Sequence, residues 1–218
     1  MKKTLLAASI AALSAGFIAA PALADVAGEV GINLTQPTDS DKDTALTLEF
    51  DINYTHESGA YAGFWFETYD FLEGDDFSEE SNFEVYAGYA NDLTADLGYD
   101  LGLIYGQPID NDDEDYVEIY LGAGYSFNAD LATSAYIFHD IDSDADSTRL
   151  ELFAEYTGME LLDFYAELVT NLQDSDEMTL ELGLGKEIIS QHYVTASFIA
   201  DLDDSDENAI LFTYFYSF

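Results

Sequence analysis

Carboxylates dominate the chemistry that this chain can offer, and many of them recur at a spacing of two. Glu49 and Asp51 are separated by one residue in "TLTLEFDINYT", and Glu151 follows Arg149 at the same interval in "TRLELFAEY", with Glu155 further along the same face. Glu84, Asp100, Glu118, Asp163, Glu167 and Glu181 occupy comparable places in other segments. A period of two gathers side chains on one face of a strand. Carboxylates gathered on the inner face of a closed sheet, with Arg149 as the one cation among them, would line a passage that attracts cations and repels anions. Glu49, Asp51, Glu84, Asp100, Glu118, Arg149, Glu151, Glu155 and Glu167 are therefore the expected pore-lining set.

Two other chemistries need weighing. In "DIDSDADSTRLE", Asp140, Asp142, Asp144 and Glu151 fall at the first, third, fifth and twelfth places of a calcium-loop pattern, whose oxygen donors can wrap a hard cation. Ala145 stands where that pattern needs its turn glycine, and the flanks read as strands rather than helices. Loose binding of Ca2+ or Mg2+ by clustered acidic loops is the broader expectation; no cofactor is expected. For catalysis, His56, His139 and His192 are the available bases and Ser58, Ser134 and Ser190 the nearby hydroxyls. No nucleophile motif surrounds them, so no enzyme is expected.

The elements that must position these groups are strands. Leu46, Leu48, Phe50, Ile52 and Tyr54 alternate with Thr47, Glu49, Asp51, Asn53 and Thr55, giving one apolar and one polar face. The same alternation recurs at 83–90, 97–105, 116–127 and 148–156, and less cleanly at 60–68, 131–139, 162–170, 179–187 and 192–201. With Val26 to Thr35 and Ala209 to Phe218 this makes twelve segments, each of roughly the nine to eleven residues that a tilted strand needs to cross a bilayer. Short links such as "HESG", "NDLT", "NAD", "TGMEL" and "EIISQ" alternate with longer acidic links such as "QPTDSDKD", "QPIDNDDED" and "DLDDSDE". The fold expected is an all-β, up-and-down antiparallel transmembrane barrel with short periplasmic turns and acidic external loops.

Composition narrows the partners. Of 218 residues, 45 are Asp or Glu and 5 are Lys or Arg, for a formal net charge of -40. A polyanion finds little to bind here, which excludes nucleic acid. The start, "MKKTLLAASIAALSAGFIAAPALAD", has the charged, apolar and small-residue regions of a secretory signal peptide, predicting cleavage after residue 24 and a barrel over 25–218. Past that leader Lys42, Arg149 and Lys186 are the remaining basic residues and there is no cysteine, so the fold is expected to hold without disulfides.

A soluble, lipocalin-like barrel would show the same period with its apolar face inward. Uninterrupted apolar faces, aromatic residues gathered toward strand ends, and an opposite face of Gly and carboxylates favour the membrane. The closing run "ILFTYFYSF" sets Tyr214, Tyr216 and Phe218 on one face. That pattern resembles the signal read by the bacterial barrel-assembly machinery, on a strand expected to pair with the first.

The stretches "INYTHESGAYAGFWFE" (52–67), "EVYAGYANDLTADLGYDLGLIYG" (84–106) and "VEIYLGAGYSF" (117–127) resemble the TorF family of porin-like outer-membrane proteins of proteobacteria. The resemblance implies a barrel in the bacterial outer membrane, in contact with its lipid and lipopolysaccharide. Where members usually have an Arg-containing "RGIS"-like segment after the first strand, "LTQPTDSDKD" stands here, and any selectivity due to that arginine is not carried over. The expected function is passive, cation-preferring passage of small cationic or neutral solutes. The alternative is a non-conducting structural or surface-interaction barrel whose acidic loops bind divalent cations, lipopolysaccharide or a partner.

Overall fold

The computed structural model describes residues 25–68, 81–109, 115–141, 147–173 and 178–218. The predicted leader, residues 1–24, and the tips of four of the acidic links lie outside the described residues. Twelve strands occur among those described: β1 Asp25–Pro37, β2 Ala45–Thr55, β3 Ala60–Thr68, β4 Ser81–Asp92, β5 Leu97–Pro108, β6 Tyr116–Asn128, β7 Leu131–Asp140, β8 Thr148–Tyr156, β9 Asp163–Asn171, β10 Met178–Ile189, β11 His192–Asp201 and β12 Ala209–Ser217. Each pairs antiparallel with its sequence neighbours, and β1 also pairs with β12, so the sheet closes into a barrel without a free edge. The closing register sets Val30 opposite Tyr216, Ile32 opposite Tyr214 and Leu34 opposite Phe212.

The alternation of residue types becomes an alternation of environment. On β6 Leu121 is 61% exposed while Tyr120 beside it is 7% exposed; on β8 Leu152 is 40% exposed and Glu151 2%. Along the whole barrel the aliphatic face points outward, with Ile32, Leu103, Ile119, Ile137, Leu182 and Phe198 all exposed, and the polar face points inward. A lipocalin-like barrel has these faces the other way round.

The interior is filled unevenly. Trp65, Tyr86, Ile104, Tyr120, Tyr136 and Phe138, all from β3 to β7, form one buried cluster against that side of the wall. The tyrosines fit because the residue paired with each on the next strand is often a glycine. Tyr86 lies opposite Gly63, Tyr120 opposite Gly102 and Tyr136 opposite Gly122. A Cβ on any of these glycines would meet its partner ring within 2.2 to 2.5 Å, so only a bare backbone lets the ring lie across the wall.

The tight turns gather at one end. At "HESG", the Gly59 amide donates to the His56 carbonyl at 2.8 Å with Gly59 at φ +93°, where an added Cβ would also stand 2.1 Å from the Ala90 carbonyl. The turn predicted over 187–191 is shorter than expected. A register shift between Glu187 and Ile189 lets β10 continue to Ile189, and Ser190 and Gln191 alone make the turn, with Gln191 at φ 69°. At the opposite end the links are longer, and one carries a short 3₁₀ turn at Ser205–Glu207.

Candidate functional site

Every expected pore-lining residue sits on the inner face of the barrel, since registers couple them across the wall. Glu49 pairs with Gly31 and Glu67, Asp51 with Glu29 and Trp65, and Glu84 with Trp65 and Gly106. Asp100 pairs with Gly122, Glu118 with Asp140, Arg149 with Phe138, Glu151 with Tyr136, Glu155 with Tyr165 and Glu167 with Phe153 and Glu181. A period of two on antiparallel strands leaves no other outcome once one residue per strand is placed.

These carboxylates do not share one environment. Burial in a closed sheet demands a partner for each polar atom, and most find one. Tyrosine hydroxyls supply many. Tyr61 donates to Asp100 Oδ1 at 2.6 Å, Tyr86 to Asp51 Oδ2 at 2.8 Å, Tyr165 to Glu181 Oε1 at 2.7 Å, and Tyr116 to Glu84. Asn33 donates to Glu49, and Ser217 donates to Glu29 at 3.2 Å. These rings also lie across glycines, Tyr61 across Gly88, Tyr165 across Gly183 and Tyr116 across Gly106 as Tyr86 is across Gly63, and so carry their hydroxyls to the acids, a pairing that single-strand periodicity cannot reveal.

Near the longer-loop end, Arg149 ties two carboxylates together. Its two terminal nitrogens donate to the two oxygens of Glu118 and its Nε donates to Glu151 Oε1 at 2.6 Å, while its guanidinium carbon lies 4.5 Å from the centroid of the Phe138 ring. Arg149 comes second on β8 and Glu118 third on β6, so the knot stands just inside the mouth.

Against the aromatic cluster, all six residues of which line it, the barrel holds a cavity of ≈ 590 Å³. Its wall includes Glu29, Glu49, Asp51, Glu84, Asp100, Glu155, Asp163, Glu167 and Glu181, with the rings of Trp65, Tyr86, Phe153, Tyr165 and Phe215 between them. Ala27, Thr157, Lys186 and Ser217 carry that wall toward the turn end, and Arg149, Glu118 and Glu151 are not part of it. The Lys186 ammonium donates to the Glu160 carbonyl at 3.1 Å at that rim.

The remaining candidates are placed as follows. Asp142 and Asp144 of the calcium pattern lie outside the described residues, Asp140 ends β7, and Glu151 faces the lumen with Oε1 on Arg149. No group of three or more His, Cys, Asp or Glu side chains is arranged to hold a metal among the described residues. His56 Nδ1 accepts from the Ser58 amide at 3.1 Å and stands 2.9 Å from its hydroxyl, an arrangement that braces the turn. His139 meets Thr148 Oγ1 at 3.0 Å and His192 meets the Tyr214 hydroxyl at 2.6 Å, so neither bonds to a serine. Tyr214 and Tyr216 lie on β12, and Phe218 exchanges two backbone hydrogen bonds with Gly28 of β1 at 2.9 and 2.8 Å.

A closed, twelve-stranded antiparallel barrel with its aliphatic face outward is the architecture of outer-membrane β-barrel proteins. A family model described as "Bacterial protein of unknown function (Gcw_chp)" matches residues 38–145. No curated protein matches the sequence. Among solved structures the chain is similar to a KdgM porin, with TM-score 0.65 and 13% identity over 87% of this chain and 99% of that one. It is similar to a NanC porin, with TM-score 0.62 and 11% identity over 87% and 98% of the two chains. The outer membrane phospholipase A of Escherichia coli also matches, with TM-score 0.62 and 13% identity over 87% and 88%. At these identities the likeness is one of fold, and the fold serves both channels and an enzyme.

Proposed function

We propose that this chain is a porin-like barrel of the bacterial outer membrane, allied to the TorF family, that passes small cationic or neutral solutes without catalysing a reaction. The observation that carries the reading is the pairing of an aliphatic outer face with a cavity of ≈ 590 Å³ walled by carboxylates. An exposed aliphatic belt needs lipid against it, and an acidic interior of low polarisability concentrates cations. One of the similar porin structures is described as a complex with oligogalacturonate, a polyanion; the interior here offers such a ligand a guanidinium already held by two glutamates and, at the turn-end rim, the Lys186 ammonium on the Glu160 carbonyl, against many carboxylates. Cations and neutral solutes are the better fit. The His56 imidazole and the Ser58 amide and hydroxyl bond to one another within a turn, the kind of contact that holds a turn rather than activates a nucleophile.

Planar-bilayer recording tests the reading. Purified protein should give conductance steps in KCl, and a KCl gradient should give a reversal potential of the sign set by cation preference. Absence of steps at every salt concentration removes the pore.

One observation favours a second reading. The Arg149 knot and the aromatic cluster occupy the barrel toward its longer-loop mouth, and a chain that does not conduct would then be a structural or surface-interaction barrel whose acidic loops bind divalent cations, lipopolysaccharide or a partner. Fractionation with the outer membrane and divalent-dependent binding to lipopolysaccharide, without conductance, are its expected results.

A further inference from the structure

Glu167 differs from the other acids in the cavity wall. It is 3% exposed, its Oε1 has no hydrogen-bond partner among the described residues, and it lines the cavity. Glu181, directly across the strand pair, accepts from the Tyr165 hydroxyl at Oε1, and the Ser197 hydroxyl stands beside its carboxylate. A buried carboxylate oxygen left bare is costly unless something cationic or donating reaches it. The interior's own cations do not. Arg149 is committed to Glu118 and Glu151 and lies outside the cavity wall, and Lys186 is held at the rim by the Glu160 carbonyl.

The surroundings of the two glutamates are aromatic. Phe153 is the register partner of Glu167 on its other side, and its ring stacks with that of Tyr165 at 6.2 Å between centroids and 24° between planes. Both rings line the same cavity. We propose that the lumen holds a binding site for an organic cation, a protonated or quaternary amine with a small apolar body, seated against Glu167 and Glu181 with the Phe153 and Tyr165 rings beside it. Carboxylate plus ring face is the chemistry that recognises such ions, since the positive charge meets the glutamates and the methylene or methyl surface meets the rings. A hard metal ion needs about six or more oxygens around it, and no such group is assembled among the described residues. The cavity of ≈ 590 Å³ is ample for a small amine. The inference rests on the interior being cation-attracting, as the pore reading holds, but does not depend on current flowing.

Trp65, the chain's single tryptophan, faces the same cavity from β3, across the barrel from Glu167 on β9, so its emission reports cations that enter the cavity and the Glu167 variant ties that report to the site. Detergent-solubilised protein is titrated with N-methylpyridinium chloride, a cation that quenches indole emission. The site predicts saturable quenching, reversed by tetraethylammonium but not by KCl at equal ionic strength, and not produced by the anion nicotinate. Glu167→Gln should weaken the apparent affinity by roughly tenfold or more, as expected for loss of a charge-assisted contact. Glu57→Gln, in the turn, should leave it unchanged. Should Glu167→Gln not assemble, as judged by heat-modifiable migration, Glu181→Gln reads the same loss. Quenching that rises without saturation, competition by KCl as effective as that by tetraethylammonium, or unaltered affinity in both glutamine variants overturns the site. Saturable quenching in a barrel that never conducts keeps the site and removes the pore; conductance without saturable quenching does the reverse.

Discussion

Arg149 donates to Glu118 through both terminal nitrogens, at 3.2 and 3.3 Å, and thereby joins β8 to β6 across β7 inside the barrel. With Nε on Glu151, one guanidinium serves two carboxylates that are each almost wholly withdrawn from solvent. Removing the cation leaves two buried charges facing each other. Arg149→Met should therefore destabilise the barrel by about 3–5 kcal/mol, the usual cost of stranding one side of a buried ion pair. Adding Glu118→Gln and Glu151→Gln to that variant should restore much of the loss. Urea midpoints for loss of the heat-modifiable band measure both effects, and a single variant as stable as the parent would show that the knot is not structural.

A second prediction concerns the tyrosines. Tyr136 lies across Gly122, and a Cβ there would meet its ring at 2.2 Å. Gly122→Val should push the ring off the wall at a cost of about 1–3 kcal/mol, the range for overpacking a filled interior. Ala123→Val, the next residue and on the outer face, faces open surroundings and should be near neutral by the same urea assay. Equal effects of the two would mean that the ring finds another place with ease.

The alternation legible in single strands was enough to sort residues onto two faces, and the uninterrupted apolar runs, the aromatic residues toward strand ends and the Gly and carboxylates opposite them pointed to which face is outward. Three strands, Ala60–Thr68, Thr148–Tyr156 and His192–Asp201, have the bounds that the pattern predicts. Partners across strands were not legible, because they depend on register, and register depends on turns. The bulge between Glu187 and Ile189 and the two-residue turn at Ser190–Gln191 replace an expected five-residue link, and no alternation signals such a shift. The same gap hid the tyrosine–glycine pairs. Gly63, Gly102 and Gly122 read in sequence as small residues of a polar face, and their role appears only when Tyr86, Tyr120 and Tyr136 are set opposite them. The pore-lining set was likewise found as a face and not as a network. Grouping Glu118 and Glu151 with Glu49 as equivalent acids overlooked that Arg149 binds the first two.

Phe218 offers a test of assembly. Its backbone exchanges two hydrogen bonds with Gly28, and its ring lies where a Gly28 Cβ would be, 2.5 Å from Cζ. If the terminal aromatic is the signal read by the assembly machinery, Phe218→Ala should delay appearance of the heat-modifiable form in cells, and Phe218→Tyr should not. Gly28→Ala disturbs only the seam, so it should lower the stability of assembled barrels while leaving their rate of appearance nearly unchanged. A pulse-chase series separates the two. Equal delay in both variants would mean that closure of the seam, rather than recognition of the aromatic, limits assembly.

The two classes of carboxylate predict different effects on selectivity. Glu49, Asp51 and Glu167 line the cavity and are held by neutral donors or by none, so their charge acts on whatever passes. Glu118 and Glu151 spend theirs largely on Arg149, and the field that they project is that of an ion cluster near balance. Replacing Glu49 by Gln, Asp51 by Asn and Glu167 by Gln together should lower the cation-to-anion permeability ratio several-fold, read as a shift of the reversal potential toward zero in a KCl gradient. Glu118→Gln should move it little, or raise anion permeability at the longer-loop mouth by leaving Arg149 partly free. The ordering matters more than the magnitudes. If Glu118→Gln shifts the reversal potential as far as the triple variant, the Arg149 knot rather than the cavity is where ions are selected.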